Sequence, residues 1–197
     1  MGTTLDYDRD TGRVIWSRDT FHALGQAGFL DDGRYELLEG EIVRIVPPNE
    51  PHNFVSMECV RALVDIFGWD YVRMEGSVVL SDTSEPVPDV TVTDTPRSEL
   101  VRIGIPDGSR IRLAVEVSDT STGRDLGQKA RLYARAGVPQ YWVVDVNRRC
   151  VVVHRLPGAD GYAQVRDVAE GDSVALPELP EGLRFVDVAQ LLPPRSR

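Results

Sequence analysis

The chain has 197 residues, 42% of them hydrophobic, which suits one domain with a real core and short extensions. No apolar run approaches membrane-spanning length. A formal net charge of −9 argues against tight, nonspecific nucleic-acid binding by a monomer, although it leaves room for a site where bound cations offset local negative charge.

The opening stretch, MGTTLDYDRDTGRVIW, lacks a basic region followed by an apolar one, so no signal peptide is expected. Residues 1–15 read as a polar leader, 16–192 as one domain and 193–197 as a tail. Cys59 and Cys150 match neither a zinc-ligand spacing nor a disulfide framework, which suits a reducing cytoplasm. His22, His52 and His154 are scattered and form no compact metal motif.

Ser17 to Ala27 predicts a short helix, with Ser17 or Asp19 near its N-cap and Gly28 at its end. Tyr35 to Val46 predicts a hairpin turning at Glu39-Gly40 and broken by Pro47 and Pro48. Asn53 to Phe67 is an amphipathic helix with Phe54, Met57, Val60, Ala62, Leu63, Val64 and Phe67 as its packing stripe. Tyr71 to Leu80 and Pro88 to Thr93 are the next strands. The connection from Asp94 to Gly108 has room for one helical turn.

Arg110 to Asp145 then reads as strand, polar loop, helix and strand. Branched apolar residues fill Arg110 to Val117. Asp125 to Ala136 has helical spacing and stops at Gly137 and Pro139. Tyr141 to Val144 is apolar on both faces, as a strand covered on both sides should be. The simplest arrangement is a right-handed crossover between parallel strands. Asn147-Arg148 turns into a strand at Arg149 to Arg155, and Gly161 to Asp167 predicts another. The run Cys150 to Val153 reads as core packing or as an edge used for pairing. From Val174 the chain mixes strand-like and loop residues and closes on an apolar run, Val186 to Leu192.

On the first strand of that unit, Leu113, Val115 and Val117 share one face while Ala114, Glu116 and Ser118 share the other. If both faces are covered, the Glu116 carboxylate needs a partner or a metal; if its face meets solvent, it needs neither. Asp89, Glu116 and the backbone carbonyl of Val117 would together make a hard oxygen site of the kind magnesium uses, with water and substrate phosphate filling the rest. Two carboxylates about 5 Å apart repel by roughly 3 kcal/mol at an effective dielectric near 20, and a divalent cation reverses that sign. Asp125, Lys129 and Tyr133 lie along one helix side. From there Lys129 could orient water or stabilise charge on phosphoryl oxygens. The structural alternatives are a turn aspartate at Asp89, a solvated Lys129 paired with Asp125, and a core tyrosine at Tyr133.

The succession YELLEG, PP followed by His52, PDV, AVEVSDTS, RDLGQKARLYARAGVPQYWVVD and LPEGLRF resembles the Uma-two family, over roughly Trp16 to Leu192. That family is grouped with the restriction-endonuclease-like, PD-(D/E)xK superfamily. The resemblance implies an α/β fold, a mixed β-sheet flanked by helices, and an endonuclease using magnesium or manganese to hydrolyse phosphodiester bonds in nucleic acid, DNA first. It also implies that Asp89 and Glu116 bind metal. The superfamily's lysine normally stands two residues after the glutamate, where this chain has Ser118; Lys129 matches a lysine displaced to the helix. Glu39 is a further acidic candidate, Glu36 competes with it, and His52 matches a position that lines the site. Two departures are Gln140-Tyr141-Trp142 for the usual EYW and Ser118-Asp119-Thr120 for the usual SPS. The alternatives are an inactive interaction module that keeps the fold, as a homodimer for instance, and a hydrolase of a smaller phosphoester.

Overall fold

In the computed structural model, residues 6–119, 121–176 and 184–195 are described. Thr120, the first five residues, most of the LPEGLRF motif and the last two residues of the expected tail lie outside them. The polar stretch ahead of Trp16 carries a small hairpin of β1 (Asp6–Tyr7) and β2 (Val14–Ile15). Helix α1 (Arg18–Gln26) is capped by Ser17, whose side chain accepts from the N–H of Thr20. Strands β3 (Arg34–Leu38) and β4 (Glu41–Ile45) form the expected hairpin, with a two-residue turn at Glu39-Gly40. Both turn residues have positive φ, 50° and 81°, as a type I′ turn requires.

Gly40 has a second constraint. A Cβ there would lie 2.5 Å from Cγ2 of Ile15 and 3.2 Å from the Trp16 nitrogen. Gly40→Ala therefore adds a clash to a left-handed φ, and should lower stability by about 1–3 kcal/mol in urea denaturation. Unchanged stability would show that the N-terminal hairpin does not press on this turn.

Helix α2 (Glu50–Phe67) starts three residues earlier than periodicity alone predicts, because Asn49 caps it by accepting from the N–H of His52 at 3.0 Å. Pro51 suits a first turn, where its missing N–H costs nothing. The buried face is Val55, Ser56, Cys59, Ala62 and Leu63, so the expected stripe is rotated. Phe54 and Met57 are exposed instead. His52, Ser56, Cys59 and Leu63 fall on one line at i, i+4, i+7 and i+11, and this rotation turns His52 inward.

The central sheet has six strands in the order β10-β9-β8-β7-β6-β5. They are β5 (Val72–Met74), β6 (Val90–Thr93), β7 (Ile111–Ser118), β8 (Gln140–Asp145), β9 (Cys150–Gly158) and β10 (Gly161–Ala169). The strand expected from Tyr71 to Leu80 is cut to three residues, because Glu75 has φ of 49° and Gly76 follows it. Helix α3 (Arg97–Ile103) fills the connection after β6. Only β7 and β8 pair in parallel, joined through the expected crossover helix; the other neighbours are antiparallel. Strand β9 lies between β8 and β10, so Cys150 to Val153 is not an edge, and β10 takes that place.

The crossover helix α4 runs over 122–135. It is built of Thr122–Arg124, a π-helical segment Asp125–Lys129 and Ala130–Arg135. It covers one sheet face with Ala130 and Tyr133, against Ala114, Tyr141 and Val143. Helix α2 covers the other face, against Val115, Val117, Trp142 and Val144. A last hairpin, β11 (Ser173–Ala175) with β12 (Phe185–Asp187), and α5 (Val188–Leu191) extend that second layer. No described helix is long and apolar enough to cross a membrane.

Candidate active site

Glu116 is in the middle of β7 on the α4 side, and with helices on both faces it is buried, 4% exposed. Of the two readings open for this face, interior and solvent, α4 makes it interior. Oε1 of Glu116 accepts from Nζ of Lys129 at 3.1 Å and from the hydroxyl of Tyr133 at 3.2 Å. Lys129 is itself buried, and its Nζ lies 3.0 Å from Oε2 of Glu36. That oxygen also accepts from the N–H of Val87 at 3.3 Å. One ammonium is thus clamped between carboxylates from β3 and β7. Lys129 is the only lysine in the chain, beside 21 arginines.

Asp89 reaches the same place by a different route. The β6–β7 register pairs Val90 with Val115, so one further step would set Asp89 opposite Glu116. The ladder ends there, next to Pro88, which has no N–H to give. Instead, the Asp89 carboxylate takes over: Oδ2 accepts from the N–H of Val117 at 2.6 Å, and Oδ1 meets Nε2 of His52 at 2.9 Å. Asp125, on the same helix side as Lys129, is a further buried acid here, while the ion-pair partners of Lys129 are Glu36 and Glu116. Asp125 is 2% exposed and accepts from the hydroxyl of Ser121.

All of these groups except the fully buried Tyr133 line a cleft of about 670 Å³ that also takes in Arg34, Arg44 and Arg124. Glu39 is not among its walls. It sits at the hairpin turn, ion-paired with Arg135 and bonded to Gln128 at 3.0 Å. The hairpin is docked by Leu37, which exchanges backbone hydrogen bonds with Glu85, and this docking turns Glu36 inward. Ser118 is fully buried, its hydroxyl donating to Thr122 at 2.8 Å.

Four carboxylates around one ammonium leave an excess of negative charge. Burial raises the Glu116 carboxyl well above its ordinary range; Lys129 opposes this, while Asp125, Asp89 and Glu36 reinforce it. Asp125 is raised chiefly by burial, against Lys129 and the Ser121 hydrogen bond. Burial alone would depress Lys129, but Glu116, Glu36 and Asp125 together push it up, so the amine stays charged. Burial likewise depresses His52, but the Asp89 hydrogen bond and charge outweigh it and raise the imidazole above 6.5. The His52–Asp89 pair then stabilises the metal-free fold fully below about pH 6.5, and that contribution is lost as pH rises through the raised value. Thermal melts in chelator should show that loss above neutrality in the native protein and not in His52→Gln. Parallel profiles for the two would mean the pair adds nothing.

A family model described as "Putative restriction endonuclease", Uma2, matches residues 18–189. The chain belongs to the Uma2 family. A crystal structure described as "a putative nuclease belonging to DUF820 from Anabaena variabilis" superposes on this Uma2 chain with a TM-score of 0.59. The two are 18% identical, and the match covers 83% of this chain and 94% of the other, which shows a shared fold. Among curated proteins there is no match. Within this Uma2 chain, the candidates Asp89, Glu116, Val117, Lys129, Glu36 and His52 line one cleft, and Glu39, Ser118 and Tyr133 do not.

Proposed function

We propose that this protein is a magnesium- or manganese-dependent endonuclease acting on phosphodiester bonds in DNA. The observation that carries the reading is the convergence of Asp89, Glu116 and a clamped, charged Lys129 on one open cleft. The donor set suits a hard cation, because every candidate ligand is an oxygen. Oε2 of Glu116 has no hydrogen-bond partner among the described residues, and it is not sealed from water. Among the described residues no three His, Cys, Asp or Glu side chains are grouped to enclose an ion. A cation here would be held by two carboxylates and the Val117 carbonyl, with the remaining positions left to water and phosphate.

When bound, the cation supplies Lewis-acid polarisation of the phosphodiester and lowers the pKa of bound water. Lys129 contributes a fixed positive charge toward the phosphoryl oxygens, its Nζ prevented from wandering by Glu36 and Glu116. Asp89 is aimed by the Val117 N–H and His52. Arg34 is paired with Glu75, so Arg44 and Arg124, neither with an ion-pair partner among the described residues, are the arginines of the cleft that can meet the substrate backbone. Two free, buried cysteines suit a reducing cytoplasm, and cleavage of both strands would call for two copies.

The test is incubation with plasmid, linear and single-stranded DNA plus magnesium or manganese. Cleavage that chelator stops supports the proposal. Because the acids already have protein partners, a second reading is a non-catalytic module with a closed ion-pair network. Absence of cleavage together with absence of manganese binding by calorimetry, in folded protein, would establish that second reading.

A further inference from the structure

Tyr141, in β8, is fully buried, and its hydroxyl donates to the main-chain carbonyl of Asp125 at 3.0 Å. At that carbonyl α4 leaves α-helical winding. It receives the N–H of Ala130, five residues on, where an α-helix would take that of Lys129. The wider turn has a consequence for the site. Over the eight residues from Asp125 to Tyr133, an α-helix would rotate the second away from the first by about 80°. The π segment takes up the extra residue and brings Asp125, Lys129 and Tyr133 toward one line on the cleft side. Such segments are rare, and here the second lone pair of the Asp125 carbonyl has a partner to hold it.

The same residue supports the other donor to Glu116. The Tyr141 ring stacks on Tyr133, with centroids 4.8 Å apart and planes 24° apart, and the Tyr133 hydroxyl bonds Oε1 of Glu116. We propose that Tyr141 is a positioning residue: its hydroxyl holds the π segment 125–129 in register so that the Lys129 amine stands between Glu36 and Glu116. Its effect on rate rests on the nuclease reading above; its effect on Lys129 does not.

Tyr141→Phe removes one oxygen and keeps the stacked ring. Since there is a single lysine, protein grown with ¹⁵N-lysine shows one side-chain ammonium resonance. In Tyr141→Phe that resonance should move and exchange with water about tenfold faster, and the Ala130 amide should lose protection by a similar factor. The kcat on DNA should fall about tenfold with KM within roughly twofold, as for a slightly displaced group. Tyr162→Phe is the control. Its hydroxyl donates at 2.8 Å to the carbonyl of Val138, in the same aromatic group, and its loss should leave the Lys129 signal as it was. An unchanged Lys129 resonance in Tyr141→Phe, or the same change in Tyr162→Phe, overturns the proposal. Wild-type protein that cuts nothing overturns the nuclease reading alone, and the resonance still decides the role of Tyr141.

Discussion

Glu116→Gln should abolish divalent-cation-dependent cleavage, by a factor of at least about 10²–10³, while leaving the fold as stable as before or more so. The amide oxygen can still accept from Lys129 and Tyr133, so shape and hydrogen bonds are kept. What disappears is a charge that burial disfavours and that Asp125, Asp89 and Glu36 disfavour further. The sign follows from the raised carboxyl. Its favourable contribution to the metal-free fold is complete below its ordinary value of 4.5 and is lost as pH rises through the higher folded value. Glutamine does not titrate, so the variant should gain on the native protein as pH rises above about 4.5, in melts recorded with chelator. A gain in stability paired with loss of cutting marks a carboxylate kept for chemistry. Wild-type rates in Glu116→Gln would remove this residue from the mechanism.

Lys129→Met has the opposite signature. It leaves Glu36 and Glu116 buried with no cation between them, and stripping one partner from a buried ion pair typically costs about 3–5 kcal/mol. Against an ordinary domain stability of about 5–15 kcal/mol, that is a large fraction, and denaturant unfolding should show it directly. Since an unfolded protein is also inactive, the variant alone cannot locate the chemistry. Adding Glu36→Gln removes one of the stranded charges, so the double variant should recover most of the lost stability and remain unable to cleave. If the double variant regains cleavage, the ammonium is a structural clamp and not a charge directed at phosphate.

Several parts of this were legible locally. Period-two alternation placed Glu116 opposite Val115 and Val117 on β7, and 3.6-residue spacing placed Asp125, Lys129 and Tyr133 on one helix side. One signal went unused: a chain with 21 arginines keeps a single lysine, and that lysine is the buried one. Lysine offers a compact point charge on a flexible stem where arginine would offer a planar fork, so the two are not interchangeable there.

The sequence by itself determined the strand–helix–strand unit, the hairpin turn at Glu39-Gly40 and the candidates Asp89, Glu116 and Lys129, because each is written in neighbouring residues through periodicity, turn chemistry or motif spacing. Only the tertiary structure decided that Glu36 and not Glu39 enters the cleft, that α2 is rotated to present His52 to Asp89, and that α4 widens at Asp125. Those choices depend on contacts between residues far apart in the chain: Leu37 with Glu85, His52 with Asp89, Tyr141 with the Asp125 carbonyl. A local pattern restricts which faces an element can offer, but its rotation and docking are set by the partner it packs against.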